Sequence, residues 1–279
     1  DDNATDIGII VGTSEGALGT CCDFQSMITE KGNASGSAFK FPNTVYNAAG
    51  GYLSICSGIK GYNVTVTNGA QSGLASMAYA MSVLRSGQEN AMLATGSDEN
   101  SDTMTELFGK LGVTSENVVA PFAGKDGFVL SDGSASVLIE DEKAARERGA
   151  RIYCHAAGYG MAHSNVKFGT LTGSEAGLKN AVNNALADAG MTIDDIDAVF
   201  GFANGMKAVD DVEIKGLTAV FGDKLAEKPV VELKEVLGES RAAAATTAAA
   251  HAALMFAGKI PSQEAYSIAA DGSVSKANV

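Results

Sequence analysis

The sequence predicts a layered α/β fold with buried, largely parallel sheets, built on one duplicated unit. Strand-like apolar runs alternate with helical stretches along the whole chain. "DIGIIVGTSEG" near the start resembles "DIDAVFGFANG" at Asp195–Gly205: an acidic residue, an apolar run and a glycine turn in the same order. Each is followed downstream by a glycine turn into a helix of small residues, "NGAQSGLASMAYAMSVL" in the first half and "LGESRAAAATTAAAHAALM" in the second. Two similar halves packed face to face would place such helices in the middle, where only Ala, Gly and Ser allow close backbone approach.

The elements follow in order. "DIGIIVG" and "NVTVT" read as strands, and the second runs through a glycine turn into a helix at Ala75–Arg85. "AMLATG" and "SASVLIE" are the next strands, followed by a helix at Lys143–Arg148. "ARIYCHAAGYG" reads as a strand, and Ser174–Ala189 as a helix. "DAVFGF" and "PVVEL" are strands around a helix at Val212–Phe221, and the last helix is Arg241–Ala257. No low-complexity linker divides the chain, so residues 1–142 and 143–279 are expected as two halves of one unit.

The 279 residues are 46% hydrophobic and 19% charged, enough apolar material for a large core. No apolar run approaches the ~20 residues that span a bilayer, and "DDNATD" lacks the regions of a secretory signal, so the expectation is cytoplasmic. The formal charge of −13 argues against nucleic-acid or anionic-membrane binding, which need clustered Lys and Arg. Cys21, Cys22, Cys56 and Cys154 show no metal-ligand spacing and are expected as free, mostly buried thiols. Neither a Ser-His-Asp order nor a metal cluster stands out, and "GYGMAHSNVKFG" lacks a phosphate-loop pattern. His251 lies inside an Ala-rich helix and reads as a core residue, while His155 and His163 flank a strand and a loop. No cofactor and no metal are expected.

The stretch "APFAGKDGFVLSDGSASVLIEDEKAARERGARIYCHAAGYG" (Ala120–Gly160) resembles the β-ketoacyl synthases, condensing enzymes of the thiolase superfamily. Its Pro121–Phe122, Asp126–Phe128 and Arg148–Ala150 match that family's Pro-Phe, Asp-Gly-Phe and Arg-Gly-Ala elements. "IKGYN", "DDVEIKGLTAVFG" (Asp210–Gly222) and "KEVLG" (Lys234–Gly238) extend the resemblance over nearly the whole chain. It implies a thiolase-like, duplicated αβαβα fold. It also implies longer chains, with a strand and helices before this start and a glycine-rich segment after this end.

Such enzymes attack a thioester with a Cys at the start of a helix, where the dipole and free N–H groups favour thiolate and hold an oxyanion. Counted from "KGYN", Ala70 stands there, and a methyl group cannot attack. Aligned on Asp210 and Glu213, Phe202 stands at the family's first histidine; aligned on Lys234 and Gly238, Glu239 stands at the second. A single engineered change would not remove all three. Lys234, Asp126 and Asp132 remain as supporting polar residues, for which structural roles are the simpler reading.

A fold without nucleophile and histidines resembles a chain-length factor, the non-catalytic partner of a catalytic ketosynthase in type II polyketide synthesis. The resemblance then implies a heterodimer in which the strand Tyr62–Thr67, with Tyr62, Val64 and Val66, pairs across the interface. It places tunnel-gating residues on a helix at "TCCDFQSMITEKG", where Cys22, Gln25 and Thr29 recur at spacings that share one face. An acidic surface is a poor dock for an acidic acyl carrier protein, so the carrier is expected to dock mainly on the partner; the same acidity also serves solubility. Two other classes stay open: a divergent condensing or acyl-transfer enzyme using Glu239 or Gln71, and a homodimeric acyl-binding scaffold.

Overall fold

The computed structural model describes residues 4–118, 120–125, 127–170, 172–259 and 264–278. Its chain folds into two compact units, the first drawn from residues 4–111, 130–152 and 240–250. The second takes the described residues of 112–129, 153–239 and 251–278.

In the first unit the strands β1 (Ile7–Gly12), β2 (Asn63–Val66), β3 (Ala91–Asp98) and β4 (Gly133–Glu140) form one sheet in the order β2-β1-β3-β4. β1 runs parallel to β2, with Ile9 opposite Asn63, and parallel to β3, with Ile7 opposite Ala91. β3 and β4 are antiparallel, Ala91 facing Glu140. Around the sheet lie α1 (Leu18–Lys31), α2 (Ala48–Ser57), α3 (Ser72–Arg85), α4 (Asp102–Leu111) and α5 (Glu142–Glu147). β1 is buried from Gly8 to Gly12, as expected of a central strand covered on both faces. Its Ile10 packs with Met92 and Ala94 of β3 and with Ala80 and Val83 of α3 in the unit's core.

Close backbone approach requires glycine at three points here. A Cβ on Gly12 would stand 2.1 Å from the Ser72 carbonyl oxygen. On Gly73 or Gly96 it would stand 2.1 or 2.4 Å from that of Ala242, the first residue of α9 (Ala242–Phe256). Helix α3 therefore meets the start of the Ala-rich helix backbone to backbone, as its small residues predict. The buried Asp98 ties the ends of these elements. It accepts from the Thr13 hydroxyl (2.7 Å), the Ser14 N–H and hydroxyl (both 2.8 Å) and the Ala242 N–H (2.9 Å). Arg241, held at φ 51°, pairs with Glu15 at 2.8 Å and donates to the Glu99 carbonyl.

In the second unit, β5 (Val199–Phe200), β6 (Val230–Val231), β7 (Glu264–Ile268) and β8 (Val274–Asn278) are hydrogen-bonded in that order. β5 and β6 are parallel; the β6–β7 and β7–β8 pairs are antiparallel. Helices α6 (Glu175–Ala189), α7 (Lys207–Phe221) and α8 (Lys234–Leu237) complete the unit, with the last turns of α9. Leu217, Phe221, Leu225, Val230, Tyr266 and Ile268 form its core, and Phe122 meets Tyr266 edge-on at 5.2 Å. In each unit the repeated segment forms a strand parallel to the strand that leads toward a small-residue helix: β1 beside β2, and β5 beside β6.

Three expectations are corrected. Both sheets are mixed rather than largely parallel, because β3–β4 and β6–β7–β8 pair antiparallel. "ARIYCHAAGYG" contributes no strand from Arg151 to Gly160. Its polar groups turn to α6 instead: the Tyr159 N–H donates to Asp188 at 3.0 Å, and Gly158 and Gly160 lie so close that added Cβ atoms would strike the α6 backbone. The thiols are not mostly buried either, since Cys21, Cys56 and Cys154 are exposed and Cys22 is half-buried.

Candidate functional site

In the first unit, β2 ends in a tight turn, with Gly69 at φ 57°, that delivers Ala70 and Gln71 to the start of α3. Ser72 organises this turn while fully buried. Its hydroxyl donates toward the Thr13 and Gly69 carbonyls at 2.9 and 2.6 Å and accepts from the Asn68 N–H at 2.7 Å. Ala70 is half-buried and offers the turn a methyl group. The Ser72 oxygen, committed to three backbone groups, cannot serve as a nucleophile in Ala70's stead.

In the second unit a polar cluster forms where β5 and β6 run out. Lys234 begins α8 and bonds Glu239 Oε2 at 2.7 Å; both side chains are about 95% buried. The Lys234 Nζ also donates to the Phe202 carbonyl at 3.2 Å and stands 3.3 Å from the Phe202 ring centroid. The amide of Asn204 is held by its Oδ1, which accepts from the Met206 N–H, and its Nδ2 donates to Glu239 Oε2 at 2.8 Å. Asn204, two residues beyond Phe202, is thus the side chain that meets Glu239. Sequence alignment on Asp210 and Glu213 without gaps misses it, and no local signal links residues 35 apart.

Two helix α7 carboxyls support this cluster. Asp210, in the first turn, accepts from the N–H groups of Phe122 (2.8 Å), Asn204 (3.1 Å) and Gly205 (3.2 Å). Glu213 accepts from the Phe202 N–H at 2.7 Å. Burial pushes both above the usual carboxylate range, against the pull of those hydrogen bonds.

The remaining predicted residues lie elsewhere. Asp132 accepts from the Asn100 N–H in the first unit, and Asp126 lies outside the described residues. Cys22, Gln25 and Thr29 do share one face of α1, where they line a shallow concavity with Ser26 and Glu30. The Thr29 hydroxyl donates back to the Gln25 carbonyl at 2.9 Å. Tyr62 precedes β2, and Val64 and Val66 lie on it; β2 is an edge strand of its sheet. The His251 ring lies 6.0 Å from that of Phe200, tilted by 52°, and burial holds its imidazole below its ordinary value. Among the described residues no group of three His, Cys, Asp or Glu side chains is placed to hold a metal, and no helix is long and apolar enough to cross a membrane.

Comparison with known proteins agrees with this architecture. The chain is 28% identical over 239 residues to the 3-oxoacyl-[acyl-carrier-protein] synthase 2 of Vibrio harveyi, covering 83% of this chain and 58% of that protein. It is 27% identical over 228 residues to the mitochondrial 3-oxoacyl-[acyl-carrier-protein] synthase of Arabidopsis thaliana, covering 77% and 49%. The chain therefore spans roughly half to three-fifths of the length of these curated relatives. Among solved structures, the ishigamide ketosynthase/chain length factor superposes with a TM-score of 0.82 at 26% identity, over 90% of this chain and 62% of that one. A β-ketoacyl synthase from Burkholderia phymatum superposes with the same score at 22% identity, over 91% and 62%, a likeness of fold. The family model for the β-ketoacyl synthase N-terminal domain matches residues 1–145, and that for the C-terminal domain matches 153–265. With its thiolase-like fold and both family domains matched, the chain belongs to the β-ketoacyl synthase family.

Proposed function

We propose that this chain is a non-catalytic chain-length factor, which pairs with a catalytic ketosynthase and shapes the tunnel for a growing polyketide or polyene chain. The observation that carries the reading is the locked state of Glu239. A condensing site needs donors aimed at a developing oxyanion, whereas a carboxylate only accepts, and this one is closed by Lys234 and Asn204. Together with the methyl of Ala70, this removes the attacking group and the side-chain donor at position 239. In this reading Phe202 and Glu239 stand where the family has its two histidines, with Asn204 bonded to Glu239 beside them, while Lys234, Asp126 and Asp132 serve as scaffold.

Residues 1–142 and 143–279 form the two halves of one duplicated unit. The edge strand β2, through Tyr62, Val64 and Val66, continues the sheet into the partner, and pairing removes an exposed edge. Cys22, Gln25 and Thr29 on α1 face the growing chain, and their modest size leaves the tunnel long. The acidic surface directs the acyl carrier protein to the partner subunit in the cytoplasm. Neither a cofactor nor a metal enters the work.

Native mass spectrometry of the chain purified from its native or co-expressed context tests this. A one-to-one complex with a Cys-containing ketosynthase is expected, and bulky substitutions at Gln25 and Thr29 then shorten the product. A homodimer or monomer, or turnover by the chain alone, overturns the reading in favour of a scaffold or a divergent enzyme.

A further inference from the structure

Glu232 follows β6 and is 6% exposed; Glu213, on α7, is 7% exposed. An added Cβ on Gly201 would stand 1.8 Å from Oε1 of Glu232 and 2.8 Å from Oε1 of Glu213, so both carboxyls converge on one backbone position. Among the described residues no N–H or O–H donor reaches either oxygen of Glu232 or Oε2 of Glu213. Two ionised carboxylates this close and out of water, one of them with no donor on either oxygen, repel strongly. The charged groups facing them are Asp210 on α7, whose oxygens hold the Phe122, Asn204 and Gly205 N–H groups, and Lys234 on α8, already paired with Glu239. From α9, His251 packs on Phe200 of β5.

We propose that Glu213 and Glu232 share one proton, the Glu232 hydroxyl donating to the Glu213 carboxylate, and that losing it loosens α7 from β5 and β6 as a pH-sensitive switch. The consequence reaches the polar cluster, because Glu213 also holds the Phe202 N–H and the Phe202 carbonyl holds Lys234. Burial first, and the charge of Glu213 second, hold the Glu232 carboxyl well above its usual range, with Lys234 opposing. The sign follows. The folded chain keeps a proton that the unfolded chain releases above about pH 4.5. The stability this proton confers is therefore full below that value and declines as pH rises, until the pair itself titrates. Over that window the folding constant falls about tenfold per pH unit.

The 279-residue chain labelled with 13C at the glutamate carboxyl, followed by NMR from pH 5 to 9, tests the proposal beside urea unfolding of the chain and its Glu232→Gln variant. One glutamate resonance at the protonated position at pH 7 is expected, absent from the variant, whose stability loses about tenfold less per pH unit. Every glutamate ionised at pH 7, an unchanged slope in the variant, or a resonance that answers to added sodium or potassium rather than to pH overturns it. If the variant does not fold, the resonances of the unsubstituted chain decide alone. The outcome is independent of whether the chain pairs with a ketosynthase.

Discussion

At the scale of single residues, the second unit contains an accommodation between Gly201 and Glu232 that ordinary packing does not demand. Gly201 has ordinary backbone angles, so it is kept free of a Cβ by the carboxyls above it rather than by its own conformation. Gly201→Ala is expected to destabilise the chain by about 1–3 kcal/mol, as overpacking does. Removing the obstruction with Glu232→Ala should relieve much of that cost, giving a coupling of about 1 kcal/mol or more in a double-mutant cycle measured by urea unfolding. Additive effects would mean that the two residues do not share the space. The same residue-level view explains why the cluster at Glu239 was only partly legible. Lys234 and Glu239 lie five residues apart at a recognisable turn, so the "KEVLG" stretch marks them. Asn204 reaches Glu239 only because the chain turns between Ala203 and Lys207, a tertiary contact that no ungapped count marks.

At the scale of elements, the contact of α3 with the start of α9 rests on absent side chains. Gly73→Ala sets a methyl 2.1 Å from the Ala242 carbonyl oxygen, a backbone atom with no rotamer to escape into. A loss of about 1–3 kcal/mol or more is expected. Gly109→Ala, on α4, meets nothing within 4 Å and should add up to about 1 kcal/mol of helix stability. Urea midpoints of the two variants check both, and equal shifts would refute the distinction. Most of the fold was legible at this scale, since each strand expected before Glu140 and each expected helix has its counterpart. What was not legible depends on tertiary partners. "ARIYCHAAGYG" has the composition of a strand, but its glycines fit the α6 backbone and the Tyr159 N–H finds Asp188. The exposure of Cys21 and Cys56 is likewise set by which faces of α1 and α2 are covered, which composition does not specify.

At the scale of the whole molecule, the carboxylate of Asp98 gathers donors from residues 13, 14 and 242, and the first unit takes residues from three separated stretches of chain. Contacts of such long sequence separation are slow to form, because much chain must be ordered before they contribute. A chain ending at Glu239 would leave Gly73, Gly96 and Asp98 facing no helix. It should show markedly faster hydrogen exchange in β3 and α3 than the full chain, while equal protection would show that α9 is dispensable to the unit. For synthesis on the ribosome the consequence is one of timing: at about 5–20 residues per second, the nascent chain waits seconds with β1 and β3 made but not closed. During that interval its apolar core strands are the surface that chaperones and aggregation compete for. Yield from expression should therefore depend more on the rate at which residues 240–250 emerge than on the composition of the first hundred.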